Sequence, residues 1–184
     1  MPSLAMRPHQ RHIPTEVRAR GGGRRLATGK WGYLVKLFIF PSSNTTNVSA
    51  GIGAGLWAVS DGDEQRRKEL KTKSKGMPVG SAGVIWRTGE RFFTTPFIVY
   101  SAPSADERVT DVWPETWILP FRIHTLGTPR KKLVENDAWR ELPVPNQIPR
   151  TNITHVLRVN ALTSFVPSDV SEQDWAILLM HLAE

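Results

Sequence analysis

Between Trp31 and Leu126 the chain is cut into short apolar runs, each closed by proline, glycine or asparagine. That punctuation constrains the fold more than any other feature. Runs so short, and so rich in aromatic and β-branched residues, read as strands rather than long helices. The first, WGYLVKLFIF, covers residues 31–40 and ends at Pro41. Short strands are predicted at 56–59, 81–88, 90–101, 117–126 and 153–159. Thr88-Gly89-Glu90 joins two of them as a tight turn, so a hairpin is expected there. Pro96 lies inside the second arm and requires an edge position or a bulge.

Helices are predicted where the pattern changes. Residues 48–54 could form a short one, capped by Asn47 or a neighbour, although its glycines weaken it. Residues 62–71 read as a charged, exposed helix with acids first and bases last, which suits the helix dipole. The segment SEQDWAILLMHLAE ends the chain as a helix with Ser171 and Asp174 spaced as a capping box. Trp175, Leu178, Leu179 and Leu182 form its apolar face. Residues 127–151 are polar and proline-rich and are expected to be loop. The order gives an α+β domain: a curved or barrel-like mixed sheet flanked by a few helices. Residues 1–29, rich in Arg, Pro and Gly, are expected to be a disordered basic tail, with one domain over 30–184.

The chain has 184 residues, no cysteine and a formal charge of +7. Without cysteine, disulfides, thiolate-bound zinc and thiol nucleophiles are excluded. The positive balance favours a polyanion partner, nucleic acid ahead of an acidic membrane. No secretory signal is evident, which makes a cytoplasmic or nucleoid-associated site the expectation. The positive charge is clustered. Arg24 and Arg25 close the tail; Arg66, Arg67, Lys71, Lys73 and Lys75 follow in the charged helix; Arg130, Lys131 and Lys132 form a third group. All are candidate phosphate contacts.

Signals for catalysis are missing. The five histidines show no metal-ligand spacing on a predicted helix, and no nucleophile elbow, P-loop or HExxH motif occurs. No cofactor is expected. Tryptophan is the stronger signal, with seven in the chain. Trp31, Trp86 and Trp175 fall in regular elements and belong to the core; Trp139 is undecided. Trp57 follows a glycine-rich turn, and Trp113 and Trp117 flank Pro114 in a loop. Indole faces exposed on loops suit a planar base, which stacks with about 1–3 kcal/mol per base. A neighbouring amide could read the base edge.

The segment SSNTTNVS, the glycine-rich turn and GLWAVS together resemble the opening of a YTH or EVE domain, two branches of the PUA-like superfamily. In YTH domains an N-x-x-x-N-V-S segment precedes a G-[VI]-W-S motif by about ten residues. Here Asn47-Val48-Ser49 stands ten residues before Trp57. The resemblance continues through GSAGVIWRTGERFFTTPFIVYSAPS and VWPETWILPFRIHTL. It implies recognition without turnover, with Trp57 and Trp117 as walls of an aromatic cage and Trp113 as a third wall or lid. It places Asn47 on the base edge, and Ser60 or the backbone at Ala58 on the base substituent. Ser43, with Asn44 adjacent, occupies the position of the family's first Asn, and Ala58 replaces a Ser. The implied ligand is a methylated base flipped from its strand. Methylated DNA comes first, with 5-methylcytosine ahead of N6-methyladenine; the alternative is RNA carrying N6-methyladenine or another modification.

Overall fold

The computed structural model describes residues 36–147, 153–159, 164–168 and 170–184. The first strand, β1 (Leu37–Ser42), runs through Pro41 instead of stopping before it. Among the described residues it is an end strand that pairs with β3 alone, so the missing proline N–H costs no ladder bond there. Then follow α1 (Thr45–Ala54), β2 (Leu56–Ser60), α2 (Glu64–Ser74), β3 (Ala82–Arg87) and β4 (Phe92–Val99). After them come β5 (Arg108–Val109), β6 (Trp117–Thr125), β7 (Leu133–Val134), α3 (Glu135–Glu141), α4 (Pro143–Asn146), α5 (Ile153–Val156) and α6 (Glu172–Leu182).

The main sheet runs β1-β3-β4-β6-β2, with β5 on β6 and β7 on β4. Among the described residues only β1 and β3 are parallel; the remaining pairs are antiparallel. The sheet curls into a half-barrel, and two prolines mark where it bends. The β3–β4 hairpin shifts register between Val84 and Ile85, opposite Pro96, and Thr95 takes a φ of 45° there. A second shift between Trp57 and Val59 faces Leu119 (φ 57°) and Pro120. At that bend β6 changes partners: residues 117–122 pair with β2, residues 123–125 with β4.

Both faces of β1 are buried although it ends the sheet, which is why LFIF reads as a continuous apolar run. Phe38 and Phe40 join Trp57, Phe97, Phe121 and Phe165 inside the half-barrel. Leu37 and Ile39 face the other way, onto Trp86, Phe93, Leu142, Leu178 and Leu182 beneath the helices.

Four expectations are corrected. Helix α1 starts three residues earlier than predicted, because Asn44 and not Asn47 caps it: the Asn44 carboxamide accepts from Asn47 N at 2.7 Å. Helix α2 starts at Glu64 behind its cap Asp63 and continues to Ser74. The expected loop 127–151 holds β7, α3 and α4 within its described part; Ala138, Trp139 and Leu142 are buried at helical spacing that the prolines disguise. The strand expected at 153–159 begins as α5, where Leu157 N bonds Ile153 O at 2.9 Å and both side chains are buried. The capping box of α6 forms, with Leu178 and Leu182 buried and Trp175 half-buried against the same core. Trp31 and the tail lie outside the described residues.

Candidate nucleobase site

The three singled-out indoles converge. Trp57 comes from β2, Trp113 from the loop after β5, and Trp117 opens β6. Trp113 and Trp117 stack with ring centroids 4.5 Å apart and planes 18° off parallel. Trp57 meets both edge-on, at 6.2 and 5.9 Å. Each is buried, with 1%, 2% and 6% exposure for Trp57, Trp113 and Trp117. The cluster is thus closed: a base sandwiched between two rings needs them roughly 7 Å apart, twice the stacking rise of about 3.4 Å.

A glycine permits this packing. A Cβ on Gly51 of α1 would lie 2.9 Å from Trp57 Cε3 and from Leu56 O, and 3.1 Å from Trp113 Cζ2. The glycine-rich turn therefore serves the indoles by letting α1 approach them.

Polar groups around the cluster differ in how well they are satisfied. Trp113 Nε1 donates to Asn47 O at 2.9 Å. Trp117 Nε1 is buried with no partner among the described residues. An unpaired buried donor costs on the order of 1–3 kcal/mol, and such groups call for a reason. Asn47 is 4% exposed, and its Nδ2 donates to Glu115 Oε1 at 3.1 Å. Its Oδ1 accepts nothing among the described residues. Glu115, between the two loop tryptophans, was not singled out from sequence; its place in WPETW was the available signal.

The other base-edge candidates are dispersed. Ser43 and Asn44 are exposed at the start of α1, Asn44 engaged as its cap. Ala58 is 1% exposed in β2. The hydroxyl of Ser60 accepts from Arg66 Nη2 at 3.3 Å.

The basic clusters are partly committed to their own chain. Arg67 holds Asp61 with Nε at 2.6 Å and Nη2 at 3.1 Å, and Arg108 reaches the same carboxylate at 3.2 Å. The Arg67 hydrogen bond keeps the Asp61 carboxyl below its ordinary range and raises the guanidinium above its own. Asp61 N also bonds Thr116 O at 3.1 Å, tying this knot to the tryptophan loop. Lys71 pairs with Asp106 at 3.1 Å and Lys73 with Glu69 at 4.0 Å. Lys131 Nζ donates to Ala183 O. Lys75 and Arg130 are exposed, without side-chain partners among the described residues. Arg24 and Arg25 lie outside the described residues.

One cation escaped the sequence reading because it sits in a strand. Arg87 is 6% exposed; its Nε and Nη2 hold Glu90, and its Nη1 is buried without a partner. It lines a cavity of about 70 Å³ with Thr45, Phe92, Thr94 and Lys132. Thr45 is the first residue of α1, so helix N-terminus, guanidinium and ammonium share this hollow. Lys132 also lies over the Phe92 ring, 4.5 Å from its centroid. Among the described residues no group of three or more His, Asp or Glu side chains could hold a metal ion.

Solved structures similar to this chain are YTH domains. The YTH domain of Zygosaccharomyces rouxii MRB1, in complex with N6-methyladenosine RNA, shares 15% identity over 80% of this chain and 86% of its own, with a TM-score of 0.49. The Pho92 YTH domain in complex with m6A shares 13% identity over 81% and 84%, with a TM-score of 0.49. The apo Toxoplasma CPSF4-YTH domain shares 17% over 63% and 72%, at 0.43. No family model and no curated protein matches the sequence. At identities and scores this low, the site residues are judged by their own geometry.

Proposed function

We propose that this chain is a non-catalytic reader of a modified nucleobase, which enters between the indoles of Trp57, Trp113 and Trp117. The observation that carries this reading is the unpaired, buried Trp117 Nε1 within a cluster of three indoles. A simple core would gain by pairing that donor or replacing it. A base edge supplies an acceptor. Asn47 Oδ1 is the complementary acceptor for a base N–H.

The closed cluster sets a condition. For a base to enter, the Trp113–Trp117 stack must part, and the indole to swing would be Trp113, which stands on a loop and is held by its bond to Asn47 O. The two-ring stack, worth about 0.5–1.5 kcal/mol, is exchanged for base stacking of about 1–3 kcal/mol per base. The exchange is affordable by these magnitudes, and discrimination then rests on the methyl group and the base edge.

RNA carrying N6-methyladenine is put first, ahead of methylated DNA. The YTH domain of MRB1 was solved with N6-methyladenosine RNA, and no feature of this site speaks for DNA or for 5-methylcytosine. The Arg87 hollow, with Lys132, would take the phosphate next to the read base.

The test is a panel of identical RNA and DNA strands with and without one N6-methyladenine or 5-methylcytosine. Methylated RNA should bind at least about tenfold tighter than its unmodified twin, and the base should be recovered unchanged by mass. Equal affinity for both would overturn the reading; a preference confined to methylated DNA would restore the other ligand. Trp57→Ala is a poor probe, since emptying so buried a site costs roughly 3–5 kcal/mol of fold stability.

A further inference from the structure

We infer that the outward face of the β4–β6 pair is a second nucleobase platform, which stacks an unmodified base of single-stranded RNA on Tyr100. Tyr100 follows β4 and is 71% exposed, the largest aromatic side chain left to solvent among the described residues. Its amide donates to Arg122 O at 2.7 Å, which fixes it across from Arg122 on the neighbouring strand. Arg122 and His124 alternate outward on β6 while Phe121 and Ile123 point into the half-barrel. The three outward side chains line a hollow of about 290 Å³ with Ala54, Gly55 and Ile123.

Three observations select a nucleotide as the occupant. No carboxylate lines the hollow, and Arg122 has no side-chain partner among the described residues. Arg67, Arg87, Arg91, Arg108 and Arg140, in contrast, each hold a carboxylate. The Tyr100 ring contacts no other ring and its hydroxyl bonds nothing among the described residues. A flat free ring beside a free guanidinium and an imidazole is the combination that stacks bases and holds the adjoining phosphate. Gly55, at φ 61°, ends α1 beneath it without a side chain.

The platform is separate from the indole cluster. Trp57 faces inward from β2, and Arg122 lies five residues beyond Trp117, past the bend at Leu119. The class of ligand rests on the RNA reading above; the location does not.

The experiment measures affinity by fluorescence anisotropy for a nine-nucleotide single-stranded oligoadenylate, unmodified or with one central N6-methyladenine. Wild type is compared with Tyr100→Ala, Tyr100→Phe and Arg122→Ala, all surface changes whose folding is checked by circular dichroism. Tyr100→Ala should weaken both strands at least about fivefold and by the same factor, Tyr100→Phe should bind as wild type, and Arg122→Ala should follow Tyr100→Ala. Duplex RNA, whose base faces are covered, should be indifferent to Tyr100→Ala. Unchanged affinity in Tyr100→Ala overturns the proposal. So does an equal loss in Tyr100→Phe, or a loss of self-association without loss of RNA, which would make this face a protein contact. If methylated and unmodified strands bind wild type equally but both need Tyr100, the cage reading fails and the platform stands.

Discussion

At the residue scale, the decisive atom is Trp117 Nε1. Replacing Trp117 by Phe removes the unpaired donor, a gain of roughly 1–3 kcal/mol, and gives up stacking worth about 0.5–1.5 kcal/mol plus some volume. These terms nearly cancel, so thermal unfolding should show a melting temperature close to wild type. If the N–H reads a base, the same variant loses at least about tenfold of its preference for methylated RNA. Unchanged preference with unchanged stability would leave that indole as packing. Gly51→Ala should behave otherwise. Its Cβ would press on Trp57 and on the Leu56 carbonyl at 2.9 Å, a backbone atom that cannot swing away. Overpacking of this kind costs about 1–3 kcal/mol, measurable by urea unfolding. Arg87→Gln keeps bulk and removes charge. It should weaken methylated and unmodified strands alike and reduce the slope of log K against log salt by about 0.7, the share of one phosphate on a single strand.

At the element scale, Asp174 does more than cap α6. Its Oδ2 accepts from Ser171 N at 2.7 Å, completing the capping box, and its Oδ1 accepts from Val144 N at 3.1 Å, the second residue of α4. One fully buried carboxylate therefore satisfies the starts of two helices. Asp174→Ala strands both amides and should destabilise the domain by roughly 2–4 kcal/mol, at the upper end of a cap loss because two donors are orphaned. Denaturant unfolding measures it. Ser171 and Asp174 were legible in sequence as a pair; the bond to α4 was not, because it joins residues thirty apart. The short helices α3 to α5 were missed for a related reason. Four to seven residues carry too little periodicity to declare themselves, and only burial of Ala138, Leu142, Ile153 and Leu157 against the sheet fixes them as helical.

At the scale of the whole molecule, Asp61 adds a second tie between α2, β5 and the tryptophan loop, which the Lys71–Asp106 pair and the β5–β6 ladder already bring together. Its side chain holds Arg67 of α2 and Arg108 of β5, and its amide holds the tryptophan loop at Thr116. The Arg67 hydrogen bond lowers its folded-state pKa. A carboxylate depressed in this way stabilises the fold above its unfolded pKa, and the contribution disappears as pH falls through the folded value. Unfolding measured over a pH series should show stability declining only in acid below the ordinary carboxylate range. Asp61→Asn should flatten that decline. Arg67 is nearly half exposed, so solvent screening keeps the effect modest.

The sequence alone determined the strand-rich α+β layout, the irregularity at Pro96, the capping box of Ser171 and Asp174, and the tryptophans to watch. These follow from local chemistry: proline lacks a donor, small polar side chains bond nearby amides, and alternation follows the pleat. Only the tertiary structure decided that Trp113 and Trp117 lie face to face and closed, that Glu115 holds Asn47, that Arg87 keeps a buried unpaired N–H, and that Tyr100 stands in the open. Those facts depend on which distant strands the half-barrel brings together. Contact between residues dozens of positions apart leaves no local pattern for a single sequence to display.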